Sequence, residues 1–167
     1  MKKAYLIFGP ESSGTRMLTQ IMIASGCIGD PDHRQRWDQK LPETEPLIVW
    51  RRSLPHGGKM PNIQHMVDGL RANGYEVSAL VILRDIHACA SAQVRRGHAG
   101  SLVEAVSAIM NAWRYAAHFL EQARVPHLFI TYESLVLYGT KPLQRLVPDI
   151  KIVEQFHIRN ENWKYYE

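Results

Sequence analysis

Apolar residues along this chain fall into short runs that alternate with stretches of helical periodicity. Ala4 to Phe8 is a compact apolar run closed by Gly9 and Pro10, the pattern of a strand buried on both faces. Met17, Leu18, Ile21 and Met22 then recur at helical spacing until Gly26, which predicts a helix. Cys27 to Pro46 is rich in Asp, Pro, Arg and Gln and reads as a loop or lid with at most one helical turn. Leu47 to Trp50 predicts a second strand, and the segment RRSLPHGGKMPN after it a turn-rich connection. Ile63 to Ala72 reads as a helix stopped by Asn73 and Gly74. Val77 to Leu83 has the composition of a central strand. Helices are expected over Ile86 to Arg96 and Leu102 to Arg124, interrupted by Gly97 and Gly100. A fourth strand follows at Leu128 to Thr131 and a short helix at Pro142 to Leu146.

Strands separated by helices imply a parallel sheet with right-handed crossovers, and ligands in such folds collect at the carboxyl ends of the strands. The expected fold class is therefore α/β. It is a three-layer sandwich whose central, mainly parallel sheet of about four or five strands is flanked by helices. Residues 1–167 form one domain on this reading, a size that buries roughly two-thirds of the surface an unfolded chain exposes.

Composition narrows the class. The apolar fraction of 46% and charged fraction of 22% are those of an ordinary globular chain and argue against disordered, fibrous or membrane classes. Two cysteines, Cys27 and Cys89, make neither a disulfide framework nor a zinc pattern. They read as buried thiols in a reducing, cytoplasmic setting. The apolar run after Lys2 and Lys3 is too short for a signal peptide or a transmembrane segment. A net charge of +4 favours anionic ligands, but it is spread along the chain and does not single out nucleic acid.

Candidate chemistry begins at Gly9-Pro10-Glu11-Ser12-Ser13-Gly14-Thr15-Arg16, directly after a strand and opening a helix. The glycine spacing is that of a phosphate-cradling P-loop, in which backbone N–H groups and a helix N-terminus surround an anion. A loop that hydrolyses nucleoside triphosphates carries Lys and then Ser or Thr after the second glycine. Thr15 and Arg16 stand there instead, which disfavours a metal-dependent kinase.

Ser13-Gly14-Thr15-Arg16 resembles the 5′-phosphosulfate loop of the sulfotransferase family, whose usual forms are K-S-G-T-T and K-G-G-T-R. A second segment, Val81-Ile82-Leu83-Arg84-Asp85-Ile86-His87-Ala88-Cys89-Ala90-Ser91, resembles that family's 3′-phosphate site. There an Arg closing a strand and a Ser in the next helix hold the phosphate together. Ser91 stands one residue nearer to Arg84 than the family's usual spacing. Arg suits the task because its planar fork of donors matches phosphate oxygens. A third segment, Phe129-Ile130-Thr131-Tyr132-Glu133-Ser134-Leu135, resembles the family's Y-E-D-L signature, where Tyr132 and Glu133 would be scaffold. The tail Arg159-Asn160-Glu161-Asn162-Trp163-Lys164 faintly resembles a family segment that folds over the nucleotide, with a different spacing.

The resemblance covers Leu6 to roughly Leu146. It implies 3′-phosphoadenosine 5′-phosphosulfate as donor and the corresponding bisphosphate as product. It implies no metal, and a carbohydrate, small-molecule or protein acceptor. Ser12, Ser13, Gly14, Thr15, Arg16, Arg84 and Ser91 would bind the donor. The family's loop lysine is replaced by Ser12, so Arg16 or Arg52 is expected to supply the missing cation, with Arg51 and Lys59 nearby. His56 is the candidate base, next to a Leu54-Pro55 pair that aligns with the family's K-T-H-L-P segment, where Ser53 takes the histidine's place. The competing readings are a P-loop nucleotide kinase and a noncatalytic nucleotide-binding domain.

Overall fold

A computed structural model describes residues 2–30 and 45–166. The expected lid over residues 27–46 lies mostly outside them. Four strands, β1 (Lys2–Pro10), β2 (Leu47–Leu54), β3 (Tyr75–Leu83) and β4 (His127–Thr131), form one sheet in the order β2-β1-β3-β4. Every neighbouring pair is parallel. Among the described residues, six α-helices connect and flank them: α1 (Thr15–Ala24), α2 (Ile63–Ala72), α3 (Ile86–Arg95), α4 (Leu102–Gln122), α5 (Tyr132–Tyr138) and α6 (Lys141–Leu146).

Strand alternation divides the core into two layers. Ala4, Leu6 and Phe8 of β1 join Ile48, Trp50 and Leu54 of β2 and Val77, Ala79 and Val81 of β3 against α2 and α4. Tyr5 and Ile7 join Val49, Leu80 and Ile82 against α1, α5 and α6. Both faces of the sheet are covered, which is why these strands read as continuous apolar runs. The α/β three-layer architecture expected from the sequence is the one found.

Two local features differ from expectation. β2 continues through Arg51 to Leu54, where turn composition predicted a loop. The register pairs Arg51, Arg52, Ser53 and Leu54 with Ile7, Phe8, Gly9 and Pro10, so ladder bonding to a buried neighbour overrides the polar composition. α5 follows β4 without a loop because the Thr131 side chain accepts from Ser134 N and caps the new helix.

The chain leaves β1 for β2 on one side of the sheet and later reaches β3 on the other. The crevice at such a reversal, at the carboxyl ends of the strands, is where open α/β sheets bind ligands. Among the described residues no helix is long and apolar enough to cross a membrane.

Candidate functional site

The carboxyl ends of β1, β2 and β3 open into a cleft of about 880 Å³. Its floor is the loop between β1 and α1. Gly9 is required by close approach: a Cβ there would lie 2.5 Å from Ser13 Oγ and 2.7 Å from Ile82 O. Gly14 has φ +103°, and its Cβ would meet the Tyr132 ring at 3.1 Å, so only glycine fits without strain. Ser12 holds a left-handed φ of 69°, an outlier of the kind that costs about 1–3 kcal/mol and gathers at ligand sites.

α1 opens from this loop with Gly14 at its cap position, no capping side chain and no acidic residue in its first turn. Its leading N–H groups have no intrahelical acceptor, and the positive end of the helix dipole faces the cleft. The Ser12 and Ser13 hydroxyls are buried without a hydrogen-bond partner among the described residues. Ser12 lines the cleft, whereas Ser13 is fully buried against Gly9 and does not line it, so the uncapped N–H groups of α1 and the Ser12 hydroxyl are the donors suited to cradle an anion.

β2 brings a cationic side chain to the loop. Ile7 pairs with Arg51 in the sheet, and Arg51 Nη1 donates to Thr15 Oγ1 over 3.1 Å. Arg51, Ser53, Arg16 and His56 all line the cleft. Alternation sends Arg52 toward the opposite face, with Trp50 and Leu54, and Arg52 is not among the lining residues. Its influence is electrostatic. The His56 imidazole is held below its ordinary pKa by burial first and by the Arg52 charge next, with Glu11 opposing and Arg51 adding to the fall. His56 is therefore neutral near neutrality and able to accept a proton. It sits at the base of a tight turn in which its N–H and C=O bond to Lys59 over 2.9 and 3.2 Å. Gly57 and Gly58 take the positive φ values the turn demands.

The far wall is built around Arg84, which follows β3 and is only 8% exposed. Its Nε donates to Asn162 Oδ1 at 2.7 Å and its Nη1 to Ser12 O at 2.8 Å, while Nη2 is buried with no partner. The guanidinium lies over the Tyr132 ring at 4.6 Å and near the Tyr165 ring at 5.5 Å. Glu133 accepts from Asp85 N and from Asn162 Nδ2. The Tyr132 hydroxyl donates to Arg159 O and accepts from Glu161 N. Tyr132 and Glu133 thus fasten the C-terminal segment to the start of α3. Burial works against charge on Asp85, but hydrogen bonds from the Ala88 amide and the Tyr166 hydroxyl outweigh it and hold the carboxyl below its usual range. Asp85 is the N-cap of α3.

Ser91 is half-buried on α3 and does not line the cleft. α3 reaches the loop through other side chains: Gln93 Nε2 donates to Glu11 O at 2.8 Å and Cys89 Sγ to the same oxygen at 3.3 Å. Burial pushes the Cys89 thiol up to about 12, so it is a protonated packing group. Gln93 and Tyr165 escaped the sequence reading, and Asn162 entered it only as part of the tail segment. Gln93 sits at an ordinary helical position, and the importance of Asn162 depends on where the tail lands. The one available signal was the tail's faint family likeness. Among the described residues, no group of three or more His, Cys, Asp or Glu side chains is placed to hold a metal ion. No protein-family model matches this chain, and a search of curated proteins finds no match.

Proposed function

We propose that this cleft binds 3′-phosphoadenosine 5′-phosphosulfate and that the protein is a sulfotransferase, passing the sulfuryl group to a hydroxyl or amine. The observation that carries the reading is the uncapped start of α1, with the buried, unpartnered Ser12 hydroxyl at the cleft and Arg51 bonded to Thr15 Oγ1. That donor set fits a 5′-phosphate and an adjoining anionic group, and the unpartnered Nη2 of Arg84 fits a second phosphate. The donor contributes a sulfuryl group whose bond to phosphate breaks as the bond to the acceptor forms, the electron pair leaving on the phosphate oxygen.

The chain's own residues supply position and charge, as in phosphoryl transfer. The loop from Ser12 to Thr15 fixes the 5′ end. Arg51 and Arg16 stand in for the lysine that Ser12 replaces and neutralise charge on the leaving phosphate. His56, neutral, takes the proton of the acceptor. A kinase would need a lysine and a metal-binding hydroxyl where Thr15 and Arg16 stand. The two buried free thiols suit a reducing compartment such as the cytoplasm.

One observation favours a noncatalytic nucleotide-binding domain instead: Ser12 stands where the family's loop lysine would be. A donor-dependent sulfation screen over carbohydrate, small-phenol and peptide acceptors separates the two. Sulfate transfer to any of them supports the enzyme. Tight bisphosphate binding without transfer to any class supports the binding domain, and binding of neither donor nor bisphosphate removes both.

A further inference from the structure

Arg84 offers three nitrogens, and their partners differ in kind. Nη1 reaches back to the loop at Ser12 O. Nε and Nη2 form the other edge of the guanidinium, whose two parallel N–H groups are those that grip a phosphate by a two-bond fork. In this structure Asn162 Oδ1 occupies the Nε half of that edge at 2.7 Å, and the Nη2 half is buried without a partner. An amide oxygen fills one of the two places a phosphate oxygen would take.

We infer that Asn162 is a specificity-determining residue: the C-terminal segment 159–166 occupies the 3′-phosphate position through it, and a 3′-phosphorylated nucleotide must displace it. This rests on the nucleotide reading proposed above. The segment is held by side chains rather than by a backbone ladder to the sheet: the Tyr132 hydroxyl donates to Arg159 O and the Tyr166 hydroxyl to Asp85. Glu161 N donates to the Tyr132 hydroxyl, Asn162 Nδ2 to Glu133, and His87 Nε2 lies 3.1 Å from Tyr165 O. Its helical part is a single 3₁₀ turn, Trp163–Tyr165. Such a piece opens at low cost compared with the sheet. Exchange is downhill because a phosphate oxygen is a charged acceptor and an amide oxygen a neutral one. It also gives Nη2 the partner it lacks. A nucleotide without a 3′-phosphate leaves the edge to Asn162, so the segment stays closed.

Two predictions of opposite sense separate this from a structural role. Segment residues Arg159, Glu161 and Tyr165 line the cleft, so if Asn162 merely held the wall in place, its loss would weaken every nucleotide. Displacement instead predicts that Asn162→Ala, and the volume-keeping Asn162→Leu, bind adenosine 3′,5′-bisphosphate about tenfold more tightly, the scale of one charge-assisted hydrogen bond no longer competed for. Adenosine 5′-phosphate should bind both variants as it binds the wild type. Amide hydrogen exchange gives an independent readout: in the wild type, bisphosphate but not adenosine 5′-phosphate should speed exchange at Glu161, Tyr165 and Tyr166. Unchanged or weaker bisphosphate binding in both variants overturns this inference while leaving the nucleotide site standing. Failure of the wild type to bind either nucleotide overturns the reading of the cleft, and this inference with it.

Discussion

Two helices begin at the same edge of the sheet, and their first turns are built in opposite ways. α3 is closed: Asp85 caps it by accepting from Ala88 N at 2.8 Å, Glu133 takes Asp85 N, and the Tyr166 ring lies against His87. α1 is open: it has no capping side chain, its preceding loop holds Ser12 at positive φ, and two serine hydroxyls lie buried without partners. A missing cap costs about 1 kcal/mol and a strained residue about as much again. Side chains cap α2, α3, α4 and α5, whereas α1 and the short α6 have no such cap, and of these two only α1 opens into the cleft, where an anion would complete it. On the proposed reading, the contrast teaches that one phosphate position is preformed and the other is occupied by the protein itself.

The largest effect that tests this contrast lies on the open side. His56→Ala should lower turnover by roughly a hundredfold to ten-thousandfold, the range for a general base, with bisphosphate affinity nearly unchanged. Because burial and Arg52 depress the His56 pKa, the imidazole is already deprotonated below the ordinary histidine range. The acidic limb of the rate profile should therefore fall below that range, with rate lost as pH drops and the imidazole protonates. Wild-type turnover from His56→Ala on an identified acceptor would remove the assignment.

Paired substitutions on the two sides sharpen the comparison. Arg51→Ala should weaken the bisphosphate and adenosine 5′-phosphate alike, by about tenfold or more, since it removes the cation beside the 5′ cradle. Arg84→Ala should weaken the bisphosphate by about 1.5–3 kcal/mol and adenosine 5′-phosphate far less. It should also lower folding stability by about 1–3 kcal/mol, because Ser12 O and Asn162 Oδ1 lose their donor. Titration calorimetry with the two nucleotides and a denaturant curve read all of this. Equal losses for both ligands in Arg84→Ala would erase the distinction between the sites.

A smaller effect is expected at Arg52. Its charge disfavours the imidazolium form of His56, so Arg52→Ala should raise the His56 pKa and move the acidic limb of turnover upward, with little change in nucleotide affinity. An unchanged limb accompanied by lost affinity would place Arg52 at the ligand. The smallest effect is none: EDTA should leave nucleotide binding intact, since Thr15 and Arg16 replace the residues that would pair phosphate with magnesium. Loss of binding with the fold retained would favour the kinase reading.

Much of this was legible in the chain alone. Buried parallel strands need apolar runs and helices between them need a repeating apolar face, so the α/β class followed from local pattern. The loop from Gly9 to Arg16 was legible for the same reason, since a strand-to-helix turn that approaches its neighbours closely requires glycine at defined places. Other features were decided only when distant segments met. Arg51 and Arg52 are adjacent and chemically equivalent in the sequence. Only the pairing of β2 with β1 sends the first to the loop and the second to the opposite face, because side chains alternate along a strand. Asn162 stands 78 residues from Arg84, and no local rule links an amide in a C-terminal tail to a guanidinium after β3. That contact exists because Tyr132 and Glu133 fasten the tail across the end of the sheet, a matter of long-range packing that local pattern does not carry.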